Sequence, residues 1–310
     1  MWSGAAVVKI KYFLNYAPFF DDLRNCNTFA PKYIIKTHSK MKGFKIIVLA
    51  KQVPDTHNVG KDAMKEDGTM NRAALPAIIN PEDMNALEQA LRIKDQYPET
   101  EITVLTMGLP KAAEVLQEGL YRGADKGILL TDRKLGGSDT LATSYAIAQA
   151  IKNVGDYDMV LCGRQAIDGD TAQVGPQAAE KLGIPQVTYA EEIENISESA
   201  ITVRRRLESG IETVKAPFPV LITVHGSAAA CRTRNAKFYM KNKNDESKII
   251  TWGADDIKVE DDKVGKAGSP TTVKKIDAVV LQAKESKKLN DSDADIDILI
   301  KDLLSNHILG

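Results

Sequence analysis

The sequence has few of the residues that form cross-links and metal sites. Its three cysteines, Cys26, Cys162 and Cys231, lie far apart without a Cys-x-x-Cys pair, which excludes a disulfide framework and a thiolate zinc site. None of its four histidines lies three or four residues from another, so no helical histidine pair can bind a metal ion. We therefore expect a protein without a metal, in a reducing compartment such as the cytoplasm.

An excess of one charge and long apolar runs are also missing. Lys and Arg total 41 against 42 Asp and Glu, a formal net charge of -1, so nothing draws the whole chain to nucleic acid or to an anionic membrane. No apolar run approaches the roughly 18 residues that a membrane span needs. With 310 residues, 43% of them hydrophobic, the chain is long enough for one large or two small globular domains.

The first forty residues differ in composition from the rest. They contain eight of the 18 aromatic residues, and six basic residues against two acidic ones. Met41 then precedes an apolar run typical of a first strand. We interpret 1–40 as an upstream extension, a packed N-terminal arm or an organellar presequence; one arginine and two acids in this stretch disfavour the last.

From Met41 onward, predicted strands and helices alternate. Short β-branched runs predict strands at 44–49, 101–107, 127–130, 159–162 and 186–189. The stretches between the first four carry helical spacing of apolar residues, with Pro81 at one helix start. This alternation predicts an α/β fold with a doubly wound, mostly parallel, Rossmann-like sheet, whose ligands bind beyond the carboxyl ends of the strands.

The pattern changes near residue 200. Runs at 201–206 and 212–215 around a Ser209–Gly210 turn predict a β-hairpin at the sheet edge, leading into a strand at 220–224. Residues 226–295 carry few periodic segments, and an amphipathic helix follows near Ile296. We therefore predict three regions: the extension 1–40, a nucleotide-binding domain 41–225, and a partner-docking loop with an extended C-terminal arm at 226–310.

The residues for ordinary dinucleotide binding and for bond-breaking catalysis are absent. No Gly-x-Gly-x-x-Gly follows the first strand, and no nucleophile, base and acid set stands out. The strongest candidate site is the run GRQAIDGDTAQVGPQ at 163–177, where small residues and a helix start would present backbone N–H groups to phosphate oxygens. The alternative interpretation makes Asp168 and Asp170 turn and cap residues without a ligand. The motif NPED at 80–83 and the loop 136–140 have the same two interpretations: helix starts, or edges of a ligand site.

Four motifs in order along the chain resemble the β subunit of electron transfer flavoprotein. They are KQVPD at 51–55, NPED at 80–83 with ALEQAL at 86–91, GAD at 123–125, and residues 163–176. The resemblance extends from Met41 nearly to the C-terminus. It implies an electron-carrier subunit that pairs with an FAD-binding α subunit and binds AMP. By matching position, the AMP contacts would be Ala50, Asn80, Pro81, Glu82, Asp83, Met107, Asp168, Gly169, Asp170, Thr171, Ala172, Gln173, Val174, Gly175, Pro176, Gln177, Ala178 and Ala179.

Residues 163–176 and 135–144 further resemble the electron-bifurcating branch of this family. That resemblance implies a second FAD in place of AMP, reduced by NADH, with electrons passing to ferredoxin or flavodoxin and, through the α subunit, to an acyl-CoA dehydrogenase or a similar enzyme. Contacts near the flavin or NADH phosphates would then include Gly136, Gly137, Asp139 and Thr140. A non-bifurcating subunit with structural AMP, or a stand-alone adenine-nucleotide sensor, are the alternatives. The stretch 225–232 is smaller and flatter than the family's usual dehydrogenase-docking loop.

Overall fold

The computed structural model describes residues 43–55, 76–271 and 287–309, so the predictions for 1–40 lie outside the described residues. The strands are β1 (Lys45–Leu49), β2 (Gln52–Pro54), β3 (Ala77–Ile79), β4 (Glu101–Met107), β5 (Lys126–Leu130), β6 (Met159–Gly163), β7 (Gln186–Ile196), β8 (Ala200–Leu207), β9 (Gly210–Pro217), β10 (Val220–Val224) and β11 (Ile249–Trp252). The helices are α1 (Pro81–Gln96), α2 (Ala113–Arg122), α3 (Thr140–Val154), α4 (Val174–Leu182), α5 (Ala236–Asn242) and α6 (Asp293–Ser305).

Nine of these strands form one sheet in the order β11-β5-β4-β1-β6-β10-β7-β8-β9. All neighbours from β11 to β7 pair in parallel, whereas β7, β8 and β9 pair antiparallel. Both faces of the sheet are covered. Ile46 and Val48 of β1 pack in the hydrophobic cluster that α1 and α2 cover, and Ile47 and Leu49 pack in the cluster under α3 and α4. The predicted doubly wound α/β fold is therefore confirmed.

The order of the strands places the site. β1 lies between β4 and β6, and the chain runs outward from β1 to β4 and β5 before returning to β6 on the other side. At such a switch point the loops that follow neighbouring strands diverge and leave a crevice beyond their carboxyl ends. The crevice here lies beyond the ends of β1, β4 and β6.

The edges of the sheet show one confirmed prediction and one finding that the sequence pattern missed. The predicted hairpin is present as β8 and β9, and β10 returns to the interior between β6 and β7. At the other edge, Ile249 to Trp252 pair in parallel with Gly127 to Leu130 of β5. Part of the region predicted as an extended arm therefore adds a strand to the sheet of its own chain.

Two further features concern the C-terminal region and membranes. None of the residues of α6 is buried, although its sequence is amphipathic.

Among the helices that the structure describes, none is both long and apolar enough to cross a membrane.

Candidate functional site

A cavity of about 290 Å³ lies in the crevice beyond β1, β4 and β6. Its lining combines apolar strand ends with polar loops. The residues that line it are Leu49, Ala50, Lys51, Asp83, Leu105, Met107, Ser138, Asp139, Thr140, Thr143, Ile147, Cys162, Gly163, Arg164, Gln165, Ala166, Gly169, Asp170, Thr171, Ala172, Gln173, Val174 and Gly175. The cavity is thus shared by three strand ends and the N-termini of α3 and α4.

The carboxylate of Asp83 connects two of these strand ends at the base of the cavity. One oxygen accepts the N–H of Lys51, two residues after the end of β1, and the other accepts the N–H of Gly163 at the end of β6, both at 2.8 Å. Burial of the carboxyl raises the pKa of Asp83 to about 6, against the lowering effect of these two hydrogen bonds. Gly163 permits this approach, because a Cβ there would lie 2.6 Å from Oδ1 of Asp83.

The start of α1 positions the loop that follows β6. Asn80 precedes α1 but its side chain does not cap the helix. Instead, its Nδ2 donates to the carbonyl of Gln165 at 2.8 Å, and its Oδ1 accepts the N–H of Ile167 at 3.1 Å. Glu82 accepts the N–H of Gln165 at 3.0 Å and forms an ion pair with Arg164 at 3.0 Å. The NPED motif is therefore a helix start that also fixes one wall of the cavity.

Residues at the N-terminus of α4 line the cavity, and their backbone amides are unpaired. The residue before this helix is Gln173, and no side chain caps it. In the described part of the chain, no hydrogen bond uses the N–H of Thr171, Ala172 or Gln173, and helix geometry leaves those of Val174 and Gly175 unpaired as well. Unpaired amides at a helix start are a binding site for anionic oxygens.

The backbone of this loop is unusual at two positions. Asp170 and Ala172 have φ values of 49° and 52°, in the left-handed region that non-glycine residues seldom adopt. Asp170 is held there by the N–H of its own backbone, which donates to the carbonyl of Ala166 at 2.9 Å, and by Nε2 of Gln165, which donates to its carboxylate at 2.8 Å. Strained backbone of this kind is often retained at ligand sites.

Two basic residues, Lys51 and Arg164, line the same cavity as the amides at 171–175. Nζ of Lys51 lies 2.7 Å from the carboxylate of Asp168. Arg164 lies over the ring of Tyr189, with 5.8 Å between its guanidinium carbon and the ring centroid. Its Nε is buried and has no hydrogen-bond partner among the described residues. Lys51 and Arg164 both line the cavity, so its wall carries two cationic residues in addition to the backbone amides.

The start of α3 forms another part of the cavity rim. Oδ1 of Asp139 accepts the N–H groups of Leu141 and Ala142 at 2.9 and 3.1 Å and so caps this helix. Partial burial acts to raise the pKa of Asp139, but its hydrogen bonds from Ala142, Thr271 and Leu141 together keep that pKa below its ordinary value. Thr140 donates to the side-chain carbonyl of Gln173 at 2.8 Å, which connects the two helix starts across the rim.

The structure brings together about half of the residues predicted as contacts. Those lining the cavity are Ala50, Asp83, Met107, Asp139, Thr140, Gly169, Asp170, Thr171, Ala172, Gln173, Val174 and Gly175. The others, Asn80, Pro81, Glu82, Gly136, Gly137, Asp168, Pro176, Gln177, Ala178 and Ala179, lie outside the lining. Several of these act indirectly: Asn80 and Glu82 position the loop, and Ala178 and Ala179 pack in the core.

Several residues of the lining were not predicted from the sequence. Lys51 is the second residue after β1, so its position beyond a strand end was a usable signal. Ser138 and Thr143 flank the predicted contacts Asp139 and Thr140 and offered no separate signal. Leu49, Leu105 and Ile147 have the pattern of ordinary core residues, because an apolar wall of a cavity has the same composition as a core.

The arrangement suits ligand binding rather than bond cleavage. Burial raises the pKa of the Cys162 thiol far above its usual range, so this cysteine is no nucleophile. In residues 43–55, 76–271 and 287–309 no cluster of His, Cys, Asp and Glu suits a metal ion.

A second cavity, of about 460 Å³, lies between β2, β3 and α2, but Glu118 in its lining is already paired with Arg122 and Arg234.

Comparisons with known proteins agree on one family. A model described as "Electron transfer flavoprotein domain" matches residues 67–256. The electron transfer flavoprotein subunit beta of Clostridium acetobutylicum is 49% identical over 234 residues, 74% of this chain and 86% of the relative. The acryloyl-CoA reductase electron transfer subunit gamma of Anaerotignum propionicum is 43% identical over 277 residues, 86% of this chain and 100% of the relative. Subunit CarD of the caffeyl-CoA reductase-Etf complex of Acetobacterium woodii is 47% identical over 229 residues, 74% of this chain and 86% of the relative.

Proposed function

Because this chain belongs to the electron transfer flavoprotein family as a β-type electron transfer subunit, we propose that its cavity binds the adenylate part of a nucleotide cofactor. The observation that carries this proposal is the set of unpaired N–H groups at 171–175, which belong to residues that line the cavity and have no side-chain cap. The phosphate would accept these hydrogen bonds and take the place of a cap. Leu49, Leu105 and Ile147 offer an apolar wall for the adenine ring.

The size of the cavity fits an adenylate group. Ligand pockets of proteins run from about 300 to 1,000 Å³, and this cavity of about 290 Å³ is at the lower end of that range. A mononucleotide such as AMP matches this size. FAD would place its adenylate half here and extend its flavin half beyond the rim formed by Thr140 and Gln173.

We propose FAD as the cofactor and electron bifurcation as the activity. The resemblance of residues 163–176 and 135–144 to the bifurcating branch supports this, as do relatives named for acryloyl-CoA and caffeyl-CoA reductase systems. When bound, FAD would supply the redox chemistry, namely hydride acceptance from NADH and single-electron transfer to ferredoxin or flavodoxin and to the α-subunit flavin. The residues of this chain bind and orient the cofactor. Asp83 and Asn80 hold the strand ends and loop, while the amides of 171–175 fix the phosphate.

The proposed partner in this scheme is an electron transfer flavoprotein α subunit. Residues 226–310 would contact it, because α6 exposes Ile296, Leu299 and Leu304 without any buried residue of its own. An apolar helix face without a partner is costly in water. The α subunit would then pass electrons to an acyl-CoA dehydrogenase or a similar enzyme, in the cytoplasm.

The second candidate is a non-bifurcating subunit with structural AMP, which the small volume of the cavity favours. Co-expression with the α subunit, followed by chromatographic measurement of FAD and AMP released per heterodimer, separates the two. Two FAD support bifurcation, and one FAD with one AMP supports the non-bifurcating subunit. A heterodimer with one FAD and no second adenine nucleotide would contradict the proposed role of the cavity. A stable homodimer with nucleotide and no flavin would instead indicate a stand-alone sensor.

A further inference from the structure

Asp83 is a buried carboxylate that shares the cavity with the proposed phosphate site. The residue is 6% exposed and belongs to the cavity lining. Its two oxygens accept the N–H groups of Lys51 and Gly163, and within the described part of the chain no Lys, Arg or His side chain forms an ion pair with it. A buried carboxylate without a cation is costly, and protonation is the usual way in which a protein removes that cost.

Two adjacent residues of β6 connect Asp83 with the start of α4. The N–H of Gly163 donates to Oδ1 of Asp83 at 2.8 Å. The residue before it, Cys162, packs so closely on Gly175 in the first turn of α4 that a Cβ there would lie 2.9 Å from its Sγ. A phosphate bound at this helix start would therefore lie near the carboxylate of Asp83, at a range where two like charges in a partly desolvated site repel each other strongly.

The two cations of the cavity wall are already paired with other carboxylates. Nζ of Lys51 lies 2.7 Å from Asp168, and a guanidinium nitrogen of Arg164 lies 3.0 Å from Glu82. Neither pair includes Asp83. A phosphate therefore enters a site in which each cation already has a carboxylate of its own.

The other carboxylates of the lining are better stabilised in their charged form. Asp170 is exposed to solvent, and Asp139 accepts hydrogen bonds from two amides of α3 and from Thr271. Burial, in contrast, raises the pKa of Asp83 to about 6, so it is the carboxylate closest to protonation at neutral pH. The charged and titratable side chains at the cavity comprise two cations, five carboxylates and one thiol that burial keeps neutral: Lys51, Arg164, Glu82, Asp83, Asp139, Asp168, Asp170 and Cys162.

We propose that phosphate binding in the cavity is coupled to the uptake of a proton by Asp83. This inference rests on the proposed function, which places the phosphate at the amides of 171–175. The negative charge of the ligand raises the free energy of the ionised carboxylate and leaves that of the neutral carboxyl nearly unchanged, so the bound state holds the proton more tightly. The proton comes from the solvent, and the O–H bond of the carboxyl is the only covalent bond that forms. By linkage, affinity for the phosphate decreases as the pH rises through the range in which Asp83 titrates.

The test counts protons by calorimetry with adenosine 5′-sulfate, an analogue of AMP whose sulfate group keeps one negative charge and does not itself titrate. The analogue is titrated into the nucleotide-depleted heterodimer in two buffers that differ in ionisation enthalpy. If the ligand strengthens proton binding tenfold, we expect an uptake of about 0.5 proton per ligand at pH 6.5, and an affinity that falls about eightfold between pH 5 and pH 8. Adenosine brings no charge into the cavity, so its binding should take up almost no proton.

D83N removes the titrating carboxyl, and its uptake with the sulfate should be close to zero. D156N makes the same change at an exposed carboxylate and should keep the wild-type uptake. If D83N does not fold, the comparison of the sulfate with adenosine on the wild type decides alone. Sulfate binding without proton uptake, or undiminished uptake in D83N, would overturn the coupling and leave the phosphate site intact. Equal affinities for the sulfate and for adenosine would instead overturn the proposed phosphate site itself.

Discussion

At the scale of single residues, Asp83 shows how a buried charge serves a ligand site. The residue is 6% exposed, and its carboxylate accepts the N–H of Lys51, just beyond β1, and the N–H of Gly163 in β6. A carboxylate in such a position is costly to bury, and the raised pKa of about 6 reflects that cost. The two amides that it accepts belong to strand ends that must lie at a fixed distance if the cavity between them is to keep its shape.

The raised pKa of Asp83 predicts a pH dependence of stability. A carboxyl with a higher pKa in the folded state binds its proton more tightly there than in the unfolded chain. Its contribution to the free energy of unfolding is therefore fully present below the ordinary value of 3.8 and is lost as the pH rises toward 6. The loss amounts to about 3 kcal/mol, because each tenfold difference in proton affinity between the folded and unfolded states is worth about 1.4 kcal/mol.

Denaturant unfolding of the wild type and of D83N at several pH values measures this loss. The difference in unfolding free energy between the two proteins should change by about 2.4 kcal/mol from pH 4 to pH 7 and stay nearly constant above pH 7. D156N removes a carboxylate from an exposed position and should show no such change. A constant difference between wild type and D83N over the whole range would mean that Asp83 titrates at its ordinary pKa.

At the scale of elements, sequence patterns predict those parts that depend on local periodicity. The strand at 101–107 and the helix that begins at Pro81 are confirmed, because each carries its own apolar spacing or start signal. β11 has only four residues among charged neighbours, and it is a strand because β5 offers it a free edge. Likewise, β2 and β3 are three residues each and are stabilised by each other, although they lie far apart in sequence. Contacts of that kind leave no local pattern.

In the candidate site, too, the parts with a local sequence signal are predicted, and the parts that depend on contacts distant in sequence are not. The loop at 163–177 was predicted from its small residues, and the structure places most of it at the cavity. The role of Asn80, whose side chain bonds to a loop 85 residues away, has no local signal. The same holds for the contact of Thr271 with Asp139 across 132 residues. The structure places Gly136 and Gly137 outside the cavity lining, and a Cβ on Gly137 would lie 2.9 Å from the side chain of Lys266.

Close packing of α4 on the sheet yields a prediction at this scale. A Cβ on Gly175 would lie 2.8 Å from Cγ2 of Thr223 and 2.9 Å from Sγ of Cys162, so G175A should displace the start of α4. We expect a loss of about 1–3 kcal/mol in unfolding free energy, the usual cost of overpacking, together with weaker AMP binding by calorimetry. In G169A the new methyl group meets nothing within 4 Å, so its stability should stay within about 0.5 kcal/mol of the wild type. Equal behaviour of the two variants would contradict the packing explanation.

At the scale of the whole molecule, the nine-stranded sheet and α6 differ in how far their apolar residues are buried. The sheet is covered on both faces by its own helices, whereas α6 leaves Ile296, Ile300 and Leu304 between 43% and 50% exposed. The buried sheet therefore accounts for the stability of the domain, whereas the exposed face of α6 supports its proposed role in association with a partner.

The exposed face of α6 predicts the effect of a polar substitution there. I300Q should weaken association with the α subunit by about tenfold, since burying an isoleucine side chain is worth about 1.5–3 kcal/mol. Unfolding of the isolated chain should stay nearly unchanged, because Ile300 is 43% exposed and belongs to a helix without a buried residue. K301Q, at the next position, should associate like the wild type. Association of I300Q at wild-type strength would show that this face of α6 is not the α-subunit interface.

The central claim is that the amides at 171–175 bind a phosphate, and comparing AMP with adenosine tests it most directly. Both ligands are titrated by calorimetry into the nucleotide-depleted heterodimer. AMP should bind at least about tenfold more tightly than adenosine, because hydrogen bonds to a charged group contribute about 1.5–3 kcal/mol each and several residues of the cavity lining have unpaired amides. Equal affinities for AMP and adenosine would contradict the claim.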